Sequence, residues 1–310
     1  MKMKTLFLLP ILLLSLISTS CWSADFQKGL DAANNGDFET ALSEWRPLAE
    51  EGHPSAQFNL GLTYANGLGV VQDAETAIKW YMLAAQQGHV DAQLNIGLLY
   101  DDGQDYKTAI KWYMLAAEQG NAKAQLNLGS MYGQGYGVPQ DDKSTVKWWM
   151  LAAEQGVPRA QYNLGNYYSV GKGVTQNDKT AIKWYTLAAE QGHISAQYSL
   201  GLMYAQGQGV PQDDKTAIKW YTLAAAQGDA EAQYNLGLLH YNNAASEIVD
   251  GESTPQGFIY AYIWWSVASV GGHEDSAMMV NALERVLPKS TIDQAKDLLY
   301  KCFATNNIEC

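Results

Sequence analysis

One phrase recurs along the chain at a nearly fixed interval, and a chain built that way folds as an array of similar units rather than around one central core. Ala56-Gln57-Phe58-Asn59-Leu60-Gly61 returns from Ala92, Ala124, Ala160, Ala196 and Ala232, at spacings of 36, 32, 36, 36 and 36 residues. A second phrase, Thr76-Ala77-Ile78-Lys79-Trp80-Tyr81, is echoed from Thr108, Ser144, Thr180 and Thr216. Two phrases per period imply two helices per repeat, termed A and B.

Local chemistry marks where those helices begin and end. Asp37, Asp73, Asp105, Asp141, Asn177 and Asp213 form a column of short oxygen-bearing side chains, each able to accept from the free N–H groups of a first helical turn, and so cap helix B. Gly52, Gly88, Gly120, Gly156, Gly192 and Gly228 form the column that ends it, because glycine enters the left-handed region without a Cβ penalty. Helix A starts one residue later, with Pro54 and Pro158 at its first position, where a missing N–H is harmless. Ala77, Tyr81 and Ala84, with Trp80 and Ala85 beside them, give helix B an apolar stripe, and Leu60 and Tyr64 give helix A the matching one. Ala56 and Gly61 are small enough for close approach. Nine of the ten tryptophans sit at such repeat positions, Trp22 being the other, and are read as core.

The recurring Ala-Gln-x-Asn-Leu-Gly-x-x-Tyr phrase, the loop Gly67-Leu68-Gly69-Val70-Val71-Gln72-Asp73, and the run from Ala77 to Gly88 resemble the Sel-1-like repeat, a relative of the tetratricopeptide repeat. The resemblance implies an all-α fold: a right-handed α-solenoid superhelix of about seven helix-turn-helix repeats over residues 24–276, followed by C-terminal capping helices and a tail over 277–310. It also implies a scaffold or adaptor that binds other proteins on a concave surface, often in bacterial envelopes. Two repeats depart from the pattern. The one beginning at Ala92 is four residues short, with Asp101-Asp102-Gly103-Gln104-Asp105 in place of the glycine turn. The connection from Asn242 to Gly257 in the last pair is long and reads as a disordered loop. Ser276 to Val286 and Ser290 to Phe303, separated by Pro288, read as capping helices.

The N-terminus sets the expected compartment. Lys2 and Lys4 precede an apolar run from Leu6 to Ile17, followed by small residues, the layout of a secretory signal peptide over residues 1–23. A cut between Ser23 and Ala24 leaves Cys21 and Ser23 at the −3 and −1 positions. The rival is a lipoprotein acylated on Cys21, against which stands Ser18 where an aliphatic residue is usual. The chain is therefore expected in the periplasm or secreted, touching a membrane only if Cys21 is lipidated. Loss of Lys2 and Lys4 takes the net charge from −12 to −14, which offers no footprint for nucleic acid. If Cys21 leaves with the leader, Cys302 and Cys310 remain as one pair in an oxidising compartment and are expected to bridge.

No motif in the chain carries chemistry. Gly135-Tyr136-Gly137-Val138-Pro139-Gln140 begins like a nucleotide-binding turn but lacks its third glycine and follows a helix. Asp101, Asp102 and Asp105 lack the twelfth-position glutamate of a calcium loop. His53, His89, His193 and His273 share a turn position that sister repeats fill with Asn121, Val157 and Asp229, which points to capping; stacked helices ~8 to 10 Å apart cannot place them around one zinc ion with bonds of ~2 Å. No Ser or Cys stands in a nucleophile motif. No cofactor, metal or catalytic residue is assigned, and the reading is a monomeric protein-binding adaptor rather than an enzyme.

Two further readings stand beside it. One is recognition or hydrolysis of a cell-wall or β-lactam-type ligand, linked to cysteine-rich relatives that carry a cysteine pair in each repeat, as this chain does not. The other is a structural part of an envelope secretion or export assembly. For the adaptor, the family resemblance places the residues flanking the Leu-Gly pair of helix A on the concave face. These columns read Phe58, Leu94, Leu126, Tyr162, Tyr198, Tyr234 and Leu62, Leu98, Ser130, Asn166, Leu202, Leu238. Members four apart share a helix face. The later tyrosines combine contact area with a polar tip, so Tyr162, Tyr198 and Tyr234 are expected to form a ladder that grips a partner.

Overall fold

A computed structural model describes residues 24–249 and 255–305, with side chains for 24–246 and 255–301. The leader with Cys21, the Ser23/Ala24 cut, Cys310 and the side chain of Cys302 lie outside the described residues. Those residues form sixteen α-helices and no strand. Two compact units divide the chain between Ala92 and Gln93.

In the first unit, α1 (Phe26–Asn34) packs on α2 (Phe38–Glu50), and α3 (Pro54–Asn66) packs on both α2 and α4 (Ala74–Gln86). Helix α5 (Val90–Asp102) begins there and ends in the second unit. That unit continues the alternation through α6 (Tyr106–Glu118), α7 (Ala122–Gln134), α8 (Asp142–Glu154), α9 (Pro158–Val170), α10 (Asp178–Glu190), α11 (Ile194–Gln206) and α12 (Asp214–Ala226). Odd-numbered helices are A and even-numbered are B. The seventh pair is α13 (Ala230–Val249) and α14 (Gln256–Val270), and α15 (Glu274–Val286) and α16 (Lys289–Thr305) follow it. The fold is thus an all-α solenoid of helix-turn-helix repeats with extra C-terminal helices.

The expected caps are in place. Asp73 accepts from the N–H groups of Glu75 and Thr76 at 3.0 and 3.2 Å, and Asp213 does the same for Lys215 and Thr216. Gly192, just past α10, has φ +84°, which lets the chain turn straight into α11. Close approach within a pair rests on glycine as well. A Cβ built on Gly165 of α9 would lie 2.5 Å from the Tyr185 ring of α10; Gly201 faces Tyr221, and Gly129 faces Trp149, in the same way. In each of these pairs one aromatic of helix B therefore packs directly against bare helix A backbone.

The buried glutamine of each phrase binds repeats together. Gln161 donates from Nε2 to the Ala153 carbonyl of α8 at 3.1 Å, while its Oε1 accepts from Gln191, at the end of α10, at 2.8 Å. Gln197 makes the same bonds to Ala189 and Gln227, and Gln125 to Ala117 and Gln155. One side chain thus satisfies its own amide and ties three helices, which a buried polar group must do to avoid a desolvation penalty.

The segment read as a loop from Asn242 to Gly257 is corrected: α13 runs on through Asn242 to Val249, and Ala244 is buried against Gly257. Ala244, Ala245 and Glu247 are good helix formers, so the helix extends where the glycine turn is missing. In the short repeat, Asp101 and Asp102 are the last residues of α5, and Gln104, at φ +62°, makes the tight turn into α6. The array is closed by α14, which is buried on nearly every side because α13, α15 and α16 all pack on it. A terminal repeat needs such a cover for its open core face.

Candidate functional site

The column expected to bind a partner sits half in and half out of the core. Tyr162, Tyr198 and Tyr234 are all half-buried, each at the border of the cluster formed by its own repeat. Their rings are backed by the helix B aromatic that rests on glycine: Tyr162 by Tyr185 at 5.9 Å, Tyr198 by Tyr221 at 5.8 Å, and Tyr234 by Trp265 at 6.5 Å. Phe58 stands likewise at 5.8 Å from Tyr81 in the first unit.

A second support comes from the turn histidines. Nδ1 of His53, His89 and His193 accepts from the N–H of Ala56, Ala92 and Ala196 at 3.2 to 3.3 Å, so the imidazole caps helix A. Asn121 and Asp229 cap with a side-chain oxygen at 2.9 and 2.7 Å, whereas Val157 gives no such bond. Held by its cap, the His193 ring stacks on Tyr162 at 4.7 Å, His89 on Phe58 at 4.6 Å, and His273 on Tyr234 at 4.4 Å. Burial pushes His89 and His193 below the usual imidazole range and so favours the neutral ring, and the N–H donated to Nδ1 selects the tautomer that carries its proton on Nε2. Where the column carries leucine, at Leu94 and Leu126, the following turn has Asn121 and Val157 instead of histidine. Tyr198 is the aromatic followed by an aspartate, Asp229; at Phe58, Tyr162 and Tyr234 the pairing of aromatic with imidazole is legible in the sequence, but only if the two columns are read together.

The tyrosines are separate rungs. Their ring contacts run to their own helix B and to the next turn, and among the described residues no ring pair joins one to the next. Asn235 donates to the Tyr198 hydroxyl at 3.4 Å, a polar link forward to the next helix A. In the neighbouring column Asn166 accepts from the Tyr185 hydroxyl at 2.6 Å, Leu202 and Leu238 pack at the border of the core, Leu62 is half-buried, and Leu98 is exposed. No group of three His, Cys, Asp or Glu among the described residues gathers to hold a metal ion.

The Sel1 repeat model matches six successive segments spanning residues 54–269. Among solved structures, a protective antigen of uropathogenic Escherichia coli strains with an SLR fold is 30% identical, with a TM-score of 0.77 over 90% of this chain; this chain spans 60% of the antigen's length. A Sel1 repeat protein from Oxalobacter formigenes is 32% identical, with a TM-score of 0.65, covering 79% of this chain and 96% of that one. No curated protein matches.

Proposed function

We propose, for a chain that belongs to the Sel1 repeat family, that it is an exported adaptor without catalytic activity, which holds a protein partner on the helix A face of its second unit. What supports this reading is the backing of Tyr162, Tyr198 and Tyr234. Each offers an outer ring edge and a hydroxyl while its inner face is fixed by another aromatic, and for Tyr162 and Tyr234 by an imidazole as well. A ring already held in one rotamer loses little freedom when a partner covers it, so more of its contact energy appears as affinity. The apolar leader points to the periplasm or beyond, where the partner would be met.

The test uses leucine, the residue that this chain itself carries in the column at Leu94 and Leu126. Tyr162→Leu, Tyr198→Leu and Tyr234→Leu together keep most of the packing and remove the ring and hydroxyl. Envelope extract passed over native and triple-variant protein, followed by mass spectrometry, should yield a partner retained by the first and lost by the second at equal helicity. A partner retained equally by both would move the binding surface elsewhere.

A further inference from the structure

The first turn of helix A carries a column of side chains one place before the repeated phrase. Along the sequence it reads Ser55, Asp91, Lys123, Arg159, Ser195, Glu231 and Asp275. Within the second unit its sign runs one way: positive on α7 and α9, neutral on α11, negative on α13 and α15. Lys123, Arg159, Glu231 and Asp275 are exposed, and Ser195 is half-buried. Nothing else on these helices cancels the positive end, because α7 and α9 hold no acid and α11 holds no charge at all. Glu118 and Glu154 close α6 and α8 three residues after the exposed Leu115 and Leu151, and so share the exposed side of helix B. Asp101 and Asp102 stand at the far end of α5, ~15 Å along the axis from the first turn.

Helix stability explains one end of the column and not the other. The helix dipole favours acid in a first turn, so Glu231 and Asp275 need no further cause, whereas Lys123 and Arg159 stand where the dipole opposes them. Internal pairing does not hold them either: among the described residues, neither meets a carboxylate within ion-pair distance. Both ends of the column lie beside the tyrosine rungs. Arg159 is one turn before Tyr162, and its charge adds to the burial that pushes the His193 imidazole, stacked on Tyr162, below its usual range. Glu231 and Asp229 add in the same way to the burial that pushes the Tyr198 hydroxyl up. Glu231 also lies 3.7 Å from Nε2 of His273, the ring stacked on Tyr234, and stays largely exposed.

We infer that the partner held on the helix A face carries its charge unevenly, with an acidic stretch over Lys123 and Arg159 and a basic stretch over Asp229 and Glu231, so that it lies across the tyrosines in one direction only. This rests on the reading of Tyr162, Tyr198 and Tyr234 as the binding face, to which it adds a polarity. A segment laid in that direction meets opposite charge at both ends, and a reversed one meets like charge at both. With successive A helices ~8 to 10 Å apart, the two charged ends are separated by ~16 to 30 Å. An extended chain at ~3.3 Å per residue crosses that distance in about five to nine residues.

The probe is a synthetic peptide of about 14 residues, with glutamates at one end, lysines at the other, and a neutral middle of leucine and serine bearing fluorescein. Its control has glutamine at both ends. Titrated by anisotropy into the full-length mature chain, the charged peptide should bind at least about tenfold tighter than the control, and added salt should narrow the gap. A benzophenone beside the glutamates should attach to α7 or α9, and one beside the lysines to α13 or α15. Lys123→Glu with Arg159→Glu should erase both the gap and the direction; acid in a first turn suits the dipole, so thermal stability should hold or rise. Asp229→Asn with Glu231→Gln, which keeps a capping oxygen, gives an independent variant in which the gap should narrow. Equal affinity for the two peptides, attachment of either end to both sides alike, or no binding of either peptide would each overturn the inference. The three Tyr→Leu substitutions separate it from the reading it rests on. Loss of both peptides in that variant supports the tyrosine face even where the charge effects fail, and unchanged binding with the direction intact would overturn the tyrosine face while supporting the polarity.

Discussion

Gly165→Ala tests the contact on which every repeat depends. The added Cβ would lie 2.5 Å from Cδ1 and Cε1 of Tyr185, whereas unstrained carbons sit ~3.5 to 4.0 Å apart, so the ring must retreat by about 1 Å. It has little room: Tyr185 is 4% exposed, lies beside the Tyr162 ring, and donates its hydroxyl to Asn166 at 2.6 Å. Overpacking a filled core costs about 1 to 3 kcal/mol, and a disturbed hydrogen bond about 1 more. Against this, alanine is the better helix former by about 1 kcal/mol. The net expectation is a loss of about 1 to 3 kcal/mol. In a Tyr185→Leu background the clash is gone, and the same glycine change should be neutral or stabilising by up to ~1 kcal/mol, a coupling of about 1 to 4 kcal/mol between the sites. Urea titration followed by helicity, with amide exchange in α9 and α10 because arrays unfold in parts, measures all four corners of the cycle. If Gly165→Ala is harmless beside the native tyrosine, or equally harmful without it, aromatic stacking on bare backbone is not what holds the pair together.

Gln161→Leu should cost about 1 to 3 kcal/mol by removing the buried donor to the Ala153 carbonyl and the bond that ties Gln191 to α9, and should speed amide exchange in α9 and α10. His89 and His193, whose folded values lie below the ordinary imidazole range, bind fewer protons folded than unfolded. Their contribution to stability is therefore complete above about pH 6.5 and is lost as pH falls from there through the folded values. His193→Asn, which copies the Asn121 cap, should flatten part of that dependence in a pH series of melting temperatures. Mature protein taken from the periplasm is expected to carry a Cys302–Cys310 bridge closing a loop of about nine residues and contributing ~2 to 3 kcal/mol. Alkylation of two thiols without prior reduction would refute it.

Punctuation was legible because it is local chemistry. Aspartate at Asp73 or Asp213 and glycine at Gly192 act through the next turn of their own backbone, so a column of such residues marks a helix end wherever the helix packs. The register of the paired helices was legible for the same reason. What the sequence hid was of two kinds. Between Asn242 and Val249 the length of the connection suggested a loop, although alanine and glutamate propensity there favours helix; absence of a stop signal is itself a signal to continue. The turn column marks His193 as a cap but not its stacking on Tyr162, and the repeated phrase does not mark Gln161 as a tie, because these roles exist only across helices: Gln161 needs Ala153 and Gln191, and His193 needs both Ala196 and Tyr162.

Residues that serve the array satisfy a neighbour in the next repeat, so several of them vary in pairs: histidine follows Phe58, Tyr162 and Tyr234, asparagine or valine follows Leu94 and Leu126, and Tyr198 is the aromatic followed by an aspartate, Asp229. A substitution at Tyr162, Tyr198 or Tyr234 therefore acts on the packing behind the ring as well as on the proposed partner, and binding and stability should shift together unless leucine preserves the packing.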